Sequence, residues 1–487
     1  MKLLVVGLDC AAPALLLEDE RLVNFRRLMA AGCYGKLESV IPPITIPAWR
    51  CMATSRDPGS LGVYGFRNRA DHSYDNLTIV NAKSFKALTI WDHLAMEGRK
   101  SVLIGVPPSF PPPRVNGISV GCFLTPDPAV DTYTYPAEIK DEIAGLVGEY
   151  LVDVKGFRTG DKDWLRDQIF EMSRKQFTVI RHYLQHAEWD YFQFVNIALD
   201  RVHHGFWKYL DPSHPDHEPG SPYASVIPDF YQHLDEELGR ILELVDNQTA
   251  ILVVSDHGAQ ALHGGFCVNE WLVQEGLLVL EEYPAKVTPF SKLKVDWSRT
   301  RVWSEGGYYA RIFFNVQGRE PMGVIPAAEY QTFRQEMRAR LEATAGPDGR
   351  PLGTLVFAPD EIYQETLNVA PDLIAHFGAL DWRSIGGVGY NGVLHIREND
   401  TGPDDCNHTQ FGAFILAAPN VPALGLMTGA RLLDMAPTLL EVAGSEIPAS
   451  FQGRSLFDGT LSTGGGDGTT AEGEEIIRQR LSGLGYI

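Results

Sequence analysis

The stretch "ILVVSDHG" occupies residues 251–258. Four apolar residues, three of them β-branched, are followed by a serine, Asp256, His257 and Gly258. A short apolar run that ends in turn residues is typical of a strand buried on both faces of a parallel sheet. The pattern therefore predicts Asp256 and His257 just beyond the carboxyl end of a strand, where Gly258 permits a turn. A polar loop of no catalytic importance would give the same pattern, so the rest of the chain has to supply partners.

Four further segments repeat this apolar pattern, at residues 2–9, 101–107, 191–200 and 412–419. Amphipathic, helix-like segments lie between them, at residues 83–100, 163–187 and 225–245. Strands that alternate with amphipathic helices predict an α/β fold with a mostly parallel sheet and helices on both of its faces.

The sequence also predicts a division of the chain into three parts. Residues 1–264 and 406–460 read as one discontinuous α/β core. Residues 265–405 contain a hairpin-like segment and the helix-like "PAAEYQTFRQEMRARLEATA", and we expect them to form an inserted α+β lid or subdomain. Residues 461–487 include the glycine-rich "STGGGDGTTAEG" at residues 462–473 and are expected to be a flexible linker and tail.

Composition and charge bear on which partners and which cellular compartment are expected. The chain of 487 residues has 42 Lys and Arg against 62 Asp and Glu, a formal charge of −20, which disfavours binding to nucleic-acid polymers. A small anionic substrate remains compatible with this charge if bound metal supplies a local positive centre. The six cysteines contain no CxxC pair, and no segment reads as a signal peptide or a membrane span, so a cytoplasmic protein is expected. The oligomeric state stays open.

Three of the predicted core strands end in an acid, at Asp9, Asp200 and Asp256. The carboxyl ends of parallel strands meet at one edge of the sheet, where α/β proteins build their sites. A single aspartate at a strand end usually caps a turn. Three converging carboxylates would repel one another unless cations lay between them, which points to a metal site.

Histidines near two of these acids could complete that site. Asp200 and His204 are four residues apart and share one face of a helical turn, whereas His203 points about a quarter-turn away. His408 lies in the polar segment "DDCNHTQ" before the last apolar run. An aspartate cap and a surface histidine are the alternatives for these positions.

Thr45 is the candidate nucleophile. It lies between Pro43 and Pro47, and the prolines predict a stiff, non-helical segment. A hydroxyl held rigidly beside a metal can be ionised at neutral pH and can attack phosphorus. A threonine in a proline-rich loop without a catalytic role is the alternative.

These segments occur in an order that resembles the alkaline phosphatase superfamily, and within it the type I phosphodiesterase/nucleotide pyrophosphatase family, in a bacterial-type form. The motifs are "VVGLD", "TIPAW" with "PGSLGVYGF", Asp-x-x-x-His, "SDHG" and "NHTQFGAFILAAP". The resemblance continues through "GFCVNEWLVQEGLL", "IFFNVQGREPMGVI", "APDLIAHFG" and "LLDMAPTLLEVAGSEIPASFQGRSL", so it covers about residues 1–457. It implies an alkaline-phosphatase-like core.

The resemblance also implies a two-metal phosphodiesterase that acts through a phospho-threonine on Thr45. The two divalent ions would be zinc, with manganese as the alternative, since oxygen and nitrogen ligands suit catalytic zinc. A small phosphorylated compound would be the substrate. One ion would be held by Asp200, His204 and His408, and the other by Asp9, Thr45, Asp256 and His257.

Two positions depart from the family pattern. Phe66 stands where the nucleotide pyrophosphatases have an asparagine that contacts a phosphate oxygen, and Asn68 is a candidate substitute for it. Leu61 and Gly62 replace the usual His-Gly pair. A phosphomonoesterase, a phosphate-transferring mutase and a non-catalytic metal-binding relic are the alternative functions, although Thr45 argues against the mutases, which use serine.

Overall fold

The computed structural model describes residues 1–398, 401–457 and 461, and the predicted linker and tail lie outside this range apart from Leu461. Strands and helices alternate along most of the described chain. The strands are β1 (Lys2–Leu8), β2 (Cys33–Glu38), β3 (Arg67–Arg69), β4 (Leu77–Ile79), β5 (Ser101–Ile104), β6 (Gly117–Val120), β7 (Thr134–Tyr135), β8 (Tyr191–Asn196), β9 (Thr249–Val254), β10 (Gly258–Ala261), β11 (Gly264–Cys267), β12 (Val302–Glu305), β13 (Ala310–Phe314), β14 (Leu355–Phe357), β15 (Leu373–His376), β16 (Trp382–Ile385), β17 (His395–Ile396), β18 (Cys406–Thr409), β19 (Phe411–Ala417), β20 (Gly425–Leu426) and β21 (Ala430–Arg431).

The α-helices include the three that the amphipathic segments predict, here α5, α7 and α9. They are α1 (Pro13–Leu17), α2 (Val23–Ala31), α3 (Thr45–Thr54), α4 (Pro58–Leu61), α5 (Ile90–Met96), α6 (Ile139–Val147), α7 (Lys162–His186), α8 (Ala198–Leu210), α9 (Val226–Leu242), α10 (Val268–Gln274), α11 (Tyr330–Glu342), α12 (Pro359–Ile362) and α13 (Met435–Ala443).

The largest sheet in the described range has ten strands in the order β20-β2-β19-β9-β1-β8-β5-β6-β7, with β21 also beside β2. Strands β9, β1, β8, β5 and β6 run parallel to one another, while β19 runs antiparallel to both β9 and β2. The predicted mostly parallel sheet is therefore confirmed, and the three strands that lead to the acidic residues are neighbours at its centre.

Helices cover both faces of this sheet. Strand β1 is buried from its second residue onward, and its side chains alternate between two apolar cores. Leu4 and Val6 pack with residues of α7, α8 and α9, whereas Leu3 and Val5 pack with residues of α3, α5 and α13. Truncating such a fully buried aliphatic side chain to alanine typically costs about 2–5 kcal/mol, so the sheet is a stable platform for the groups at its edge.

Two local predictions about this edge were wrong. Strand β8 ends at Asn196, so Asp200 lies in the first turn of α8 rather than at a strand end. Thr45 begins helix α3 rather than lying in a non-helical loop. Pro47 falls in the first turn of that helix, where the backbone N–H would have no helical partner, so the proline does not interrupt it.

Residues 265–405 contain a second sheet, in the order β12-β13-β15-β14, and helix α11 packs near it. The apolar core of this sheet is formed by residues between Phe266 and Trp382. A smaller apolar cluster joins Ile44 and Tyr64 to Tyr309 and Tyr363, so this part of the chain packs directly beside the start of α3. Among the described helices, none has the length and apolar character needed to cross a bilayer.

Candidate active site

The candidate ligands meet at the carboxyl edge of three adjacent parallel strands. Asp9 directly follows β1, and Asp256 and His257 lie between β9 and β10. Asp200 and His204 lie one turn apart on α8, which follows β8. His408 comes from β18, which pairs with β10 in such a way that His408 lies opposite Ala259. All six predicted protein ligands and Thr45 are therefore brought to one place.

The first cluster combines Asp9, Asp256, His257 and the Thr45 hydroxyl. The ligand atoms of the two carboxylates and the imidazole lie within 4.8 Å of one another. Nε2 of His257 is 3.2 Å from Oδ2 of Asp256 and 3.8 Å from Oδ1 of Asp9. Thr45 Oγ1 is 3.5 Å from Oδ1 of Asp9 and 3.4 Å from Nε2 of His257.

Backbone and indole donors fix the two carboxylates of this cluster. The indole N–H of Trp49, one turn along α3 from Thr45, donates to Oδ2 of Asp9 at 2.8 Å. The backbone N–H of Cys10 donates to Oδ1 of Asp256 at 3.2 Å. Each carboxylate therefore keeps its other oxygen directed toward the cluster.

The second cluster contains Asp200, His204 and His408, whose ligand atoms also lie within 4.8 Å of one another. Oδ1 of Asp200 is 3.3 Å from Nε2 of His204 and 3.7 Å from Nε2 of His408. Nδ1 of His408 lies 2.9 Å from the carbonyl of Pro43, an acceptor that favours protonation of Nδ1 and leaves the Nε2 lone pair free. The ring of His408 stacks on that of His257 with 3.8 Å between centroids, so the clusters adjoin.

The chemistry of both clusters fits metal ions. Asp200 Oδ1, His204 Nε2 and Asp256 Oδ2 are all buried and have no hydrogen-bond partner among the described residues. A buried polar atom without a partner costs about 1–3 kcal/mol, and more when it is charged. Carboxylate oxygens and imidazole nitrogens that converge in this way are the ligand types of zinc, and manganese accepts them too.

The electrostatics of the site agree with this interpretation. Burial and the Asp200 carboxylate raise the pKa of Asp9 well above its ordinary value, and burial and Asp9 do the same to the pKa of Asp256. Burial also lowers the pKa of His408 to about 4, so its imidazole is neutral and can bind a cation. A positive ion between the carboxylates would therefore stabilise their ionised forms.

A group of residues around His204 was not predicted from the sequence. Oδ1 of Asp404 accepts a hydrogen bond from Nδ1 of His204 at 2.5 Å, and its Oδ2 accepts from Arg158 and Arg383 at 2.9 and 3.1 Å. Arg158 also donates to the Tyr308 hydroxyl at 2.6 Å. A carboxylate behind a ligating histidine fixes its tautomer and orientation. The adjacent acids in "DDCNH" were the only sequence signal for this group.

A further arginine is also close to the clusters. Arg201 donates to Asp200 and makes two hydrogen bonds to Asp153, at 2.7 and 2.9 Å. Burial acts against ionisation of Asp200, but His204 and Arg201 outweigh it and hold the Asp200 pKa well below the ordinary value.

The two predicted substrate contacts have different surroundings. Phe66 is half-buried and packs edge-on against Phe123, with 6.2 Å between ring centroids. Asn68 accepts from the backbone N–H of Tyr64 at 2.7 Å and donates to the carbonyl of Gly65 at 2.9 Å. Because these bonds hold a tight turn, they weigh against Asn68 as a phosphate contact, and its role stays a prediction. His203, the non-ligand on α8, packs between Trp207 and Tyr231, away from the clusters.

Comparison with solved structures shows the same fold in two kinds of enzyme. Murine ectonucleotide pyrophosphatase/phosphodiesterase 5 has 15% sequence identity and a TM-score of 0.53, with 95% of this chain and 100% of that chain covered. An inactive threonine-to-alanine variant of that protein, in complex with AMP, has 14% identity, a TM-score of 0.51 and the same coverage. Phosphonoacetate hydrolase from Sinorhizobium meliloti 1021, in complex with phosphonoformate, has 16% identity and a TM-score of 0.54, with 89% and 94% covered.

The two clusters thus lie in the α/β fold that the sequence predicted and that these solved structures share. The type I phosphodiesterase/nucleotide pyrophosphatase family matches residues 3–404, and the chain belongs to this family. Family and fold together support phosphoester hydrolysis. No curated protein sequence gives a significant match.

Proposed function

We propose that this protein is a two-metal phosphodiesterase that acts through a phospho-threonine on Thr45. The observation that supports the proposal is the pair of adjoining clusters. Among the described residues, three of their buried ligand atoms have no hydrogen-bond partner, and the Thr45 hydroxyl lies beside Asp9 and His257. In the proposed assignment, one ion binds Asp9, Thr45, Asp256 and His257. The other ion binds Asp200, His204 and His408. Zinc is the expected metal and manganese the alternative.

Thr45 is well positioned for nucleophilic attack. It begins a ten-residue helix, so the positive end of the helix dipole and the free N–H groups of the first turn favour an anionic oxygen and a phosphoryl group there. When bound, the metal ions would supply the positive charge that ionises the hydroxyl and balances the phosphoryl oxygens. The ionised Oγ1 would attack phosphorus while the bond from phosphorus to the leaving oxygen breaks, and the leaving group would depart as an alcohol or phenol after taking up a proton. Water would later attack the phosphorylated Thr45, releasing a phosphomonoester and restoring the hydroxyl.

The surrounding residues hold this arrangement. Trp49 fixes the Asp9 carboxylate beside the hydroxyl, and Asp404 fixes the His204 ring so that Nε2 faces Asp200. The stacked rings of His257 and His408 link the two clusters. These contacts preorganise the ligands, so little rearrangement is needed when substrate binds.

We extend the proposal to three points that follow from the sequence. The substrate is a small phosphodiester rather than a nucleic-acid polymer, the protein is cytoplasmic, and residues 265–405 form an inserted subdomain that shapes the pocket. The apolar cluster that joins Ile44 to Tyr309 and Tyr363 supports the last point, because it links the insertion to the residue before Thr45.

The test of the proposal is metal removal and restoration. Dialysis against EDTA should abolish hydrolysis of bis-p-nitrophenyl phosphate, and zinc or manganese should restore it. His408→Ala and Asp256→Ala should each reduce metal content, with His408→Ala emptying mainly the Asp200 cluster. His182→Ala, on the surface of α7, is the matched control and should bind metal as the parent does. Full turnover by metal-free protein would exclude the two-metal assignment, and folded, metal-loaded protein without any phosphoesterase activity would favour a relic.

A further inference from the structure

The geometry points to Arg158 and Tyr308 as a recognition pair for a second anionic group, a carboxylate or a phosphate, on the leaving group of the substrate. This inference rests on the proposed function and names the class of substrate. It is independent of the metal ligands themselves, because neither residue belongs to the two clusters.

Tyr308 covers the cluster of Asp200, His204 and His408. It lies in the connection between β12 and β13, and its ring stacks on that of His408 with 4.5 Å between centroids, 5.3 Å from the His204 ring. Its hydroxyl oxygen accepts from Nη2 of Arg158 at 2.6 Å. Within the described range no acceptor bonds the hydroxyl hydrogen of Tyr308, so it can be donated to a ligand.

Arg158 has unused donors at the same place. Its Nε and Nη2 bond Asp404 and Tyr308, whereas Nη1 bonds no acceptor in the part of the chain that the structure describes. The side chain is 21% exposed, against 8% for Arg383, so Arg158 is the more open of the two. Its guanidinium also lies over the Phe157 ring, 4.6 Å from the centroid, which restrains it without using a donor.

The arginines around this pair share the nearby carboxylates unevenly. Arg158 and Arg383 both bond the same Asp404 oxygen, so two guanidinium groups face one carboxylate. Arg201, the third arginine nearby, is matched by Asp153 and Asp200. Within the described range Arg158 thus shares its bonded carboxylate with Arg383, and a ligand carboxylate or phosphate would accept a charge-assisted hydrogen bond from the unused Nη1 of Arg158.

The position of Arg158 and Tyr308 indicates that they would contact the leaving group of the substrate. Thr45 lies at the Asp9 cluster, and an in-line displacement places the departing oxygen on the side of phosphorus opposite to the nucleophile. That side faces the Asp200 cluster, which Tyr308 covers. A substituent on the departing oxygen would therefore meet Tyr308 and Arg158.

The experiment compares methyl aryl phosphodiesters whose leaving phenols differ only at the 4-position, with a nitro, a carboxylate or a phosphonate group. Ratios of variant to parent kcat/KM cancel the intrinsic reactivity of each ester. Arg158→Gln should lower kcat/KM for the anionic substrates about 30-fold more than for the nitro substrate, mostly through KM. A loss confined to the carboxylate or to the phosphonate substrate would identify which anion is recognised. Tyr308→Phe should give a smaller loss of kcat/KM with the same selectivity for anionic substrates. Arg158→Lys should lower kcat/KM for these substrates less than Arg158→Gln does.

Arg383→Gln is the matched control, because Arg383 also bonds Asp404 but is nearly buried. If Arg158 acted only by holding Asp404 behind His204, both variants would lower kcat/KM alike for all three substrates, and the inference would be overturned. If Arg158→Gln fails to fold, the same comparison with Arg158→Lys and Tyr308→Phe decides the question.

A binding measurement separates this inference from the proposed function, since it needs no turnover. Calorimetry on metal-loaded protein would compare 4-carboxyphenylphosphonate with phenylphosphonate. Arg158→Gln should weaken binding of the first about tenfold or more relative to binding of the second. Equal weakening of both would refute recognition by Arg158 even if the phosphodiesterase activity were established.

Discussion

Thr45 is the residue on which the proposed chemistry depends most directly. Thr45→Ala should lower kcat/KM by about 1000-fold or more, because no other hydroxyl among the described residues bonds both Asp9 and His257. Most of the metal should remain bound, since Asp9, Asp256 and His257 are unchanged. Steady-state kinetics and metal analysis of the same preparation would measure both effects.

Thr45→Ser is the control for this prediction. It keeps the hydroxyl and should keep measurable turnover, and the phosphorylated residue should be detectable by mass spectrometry after rapid acid quenching. If Thr45→Ala hydrolysed substrate within a few-fold of the parent, another nucleophile would have to be found.

Asp404 is a positioning residue rather than a ligand. Asp404→Asn keeps the shape of the side chain but removes the charge that faces Nδ1 of His204. Metal affinity at the Asp200 cluster should fall about 10–100-fold, the usual effect of losing the carboxylate behind a ligating histidine. Competition with a chromophoric chelator would measure this change.

The neighbouring Asp405 offers a matched control for the Asp404 variant. It is buried, but among the described hydrogen bonds none joins its carboxylate to the His204 ring. Asp405→Asn should therefore leave metal affinity close to the parent value. Equal losses in the two variants would mean that general destabilisation, and not orientation of His204, explains the effect.

At the scale of secondary-structure elements, the sequence predicted which elements build the site but not all of their limits. The apolar runs that lead to Asp9 and Asp256 were interpreted correctly as strands, because they are long and end in polar residues. The run that leads to Asp200 continues its apolar character into α8, and a short apolar segment does not distinguish a strand from a buried helix. The helix at Thr45 was not predicted, because Pro47 lies in its first turn, where proline is tolerated, and Pro43 precedes the helix.

The group around Asp404 could not be predicted for a different reason. Arg158 and Asp404 are 246 residues apart in the chain, and Tyr308 is 150 residues from Arg158. Local patterns carry no information about such contacts, which arise only when the residues after β12 and the residues before α7 fold against the same edge of the sheet. From the sequence alone, Arg158, Tyr308 and Asp404 each resemble ordinary surface residues.

Strand β1 allows a test of how the element supports the site. A Cβ atom at Gly7 would lie 2.5 Å from the Phe194 carbonyl oxygen and 2.9 Å from the Trp49 ring. Gly7→Ala should therefore separate β1 from β8 or displace Trp49, whose N–H fixes Asp9. We expect a loss of about 1–3 kcal/mol in the free energy of unfolding, together with reduced turnover.

The control for this substitution is Gly145→Ala in α6, where an added Cβ would meet no atom within 4 Å. Because alanine favours a helix by up to about 1 kcal/mol over glycine, this variant should be as stable as the parent or more stable. Denaturant unfolding at equal metal loading would compare the two. Unchanged stability of Gly7→Ala would show that β1 can accommodate the methyl group.

At the scale of the whole molecule, the site joins two parts of the chain. Strands and helices of the central sheet supply Thr45 and the ligands, and residues 265–405 add Tyr308 and Arg383 above them. The molecule carries a formal charge of −20, which would repel long polyanions, whereas the arginines and the proposed metal ions would attract a small anion locally. This distribution of charge favours a small anionic substrate over a long polyanion.

The same distribution of charged groups predicts a preference for phosphodiesters over phosphomonoesters. A monoester dianion carries an additional charge at the phosphoryl group, but within the described range no arginine bonds Asp9, Thr45 or His257. The arginines nearby are committed to Asp153, Asp200 and Asp404. A diester has one charge fewer, and its second substituent can rest on Phe66, which packs against Phe123 and against the cluster that contains Ile44.

The measurement is kcat/KM for methyl p-nitrophenyl phosphate against p-nitrophenyl phosphate at equal metal loading, with the diester expected to be the better substrate. Phe66→Ala should lower the diester value more than the monoester value, because the lost apolar surface serves only the second substituent, and Phe66→Leu should retain most of the preference. A tenfold preference for the monoester, about 1.4 kcal/mol in transition-state stabilisation, would instead require a cation near Thr45 that balances the second charge. Arg158 would then be the first residue to test, since its Nη1 bonds no acceptor in the described range and it donates to Tyr308, which stacks on His408.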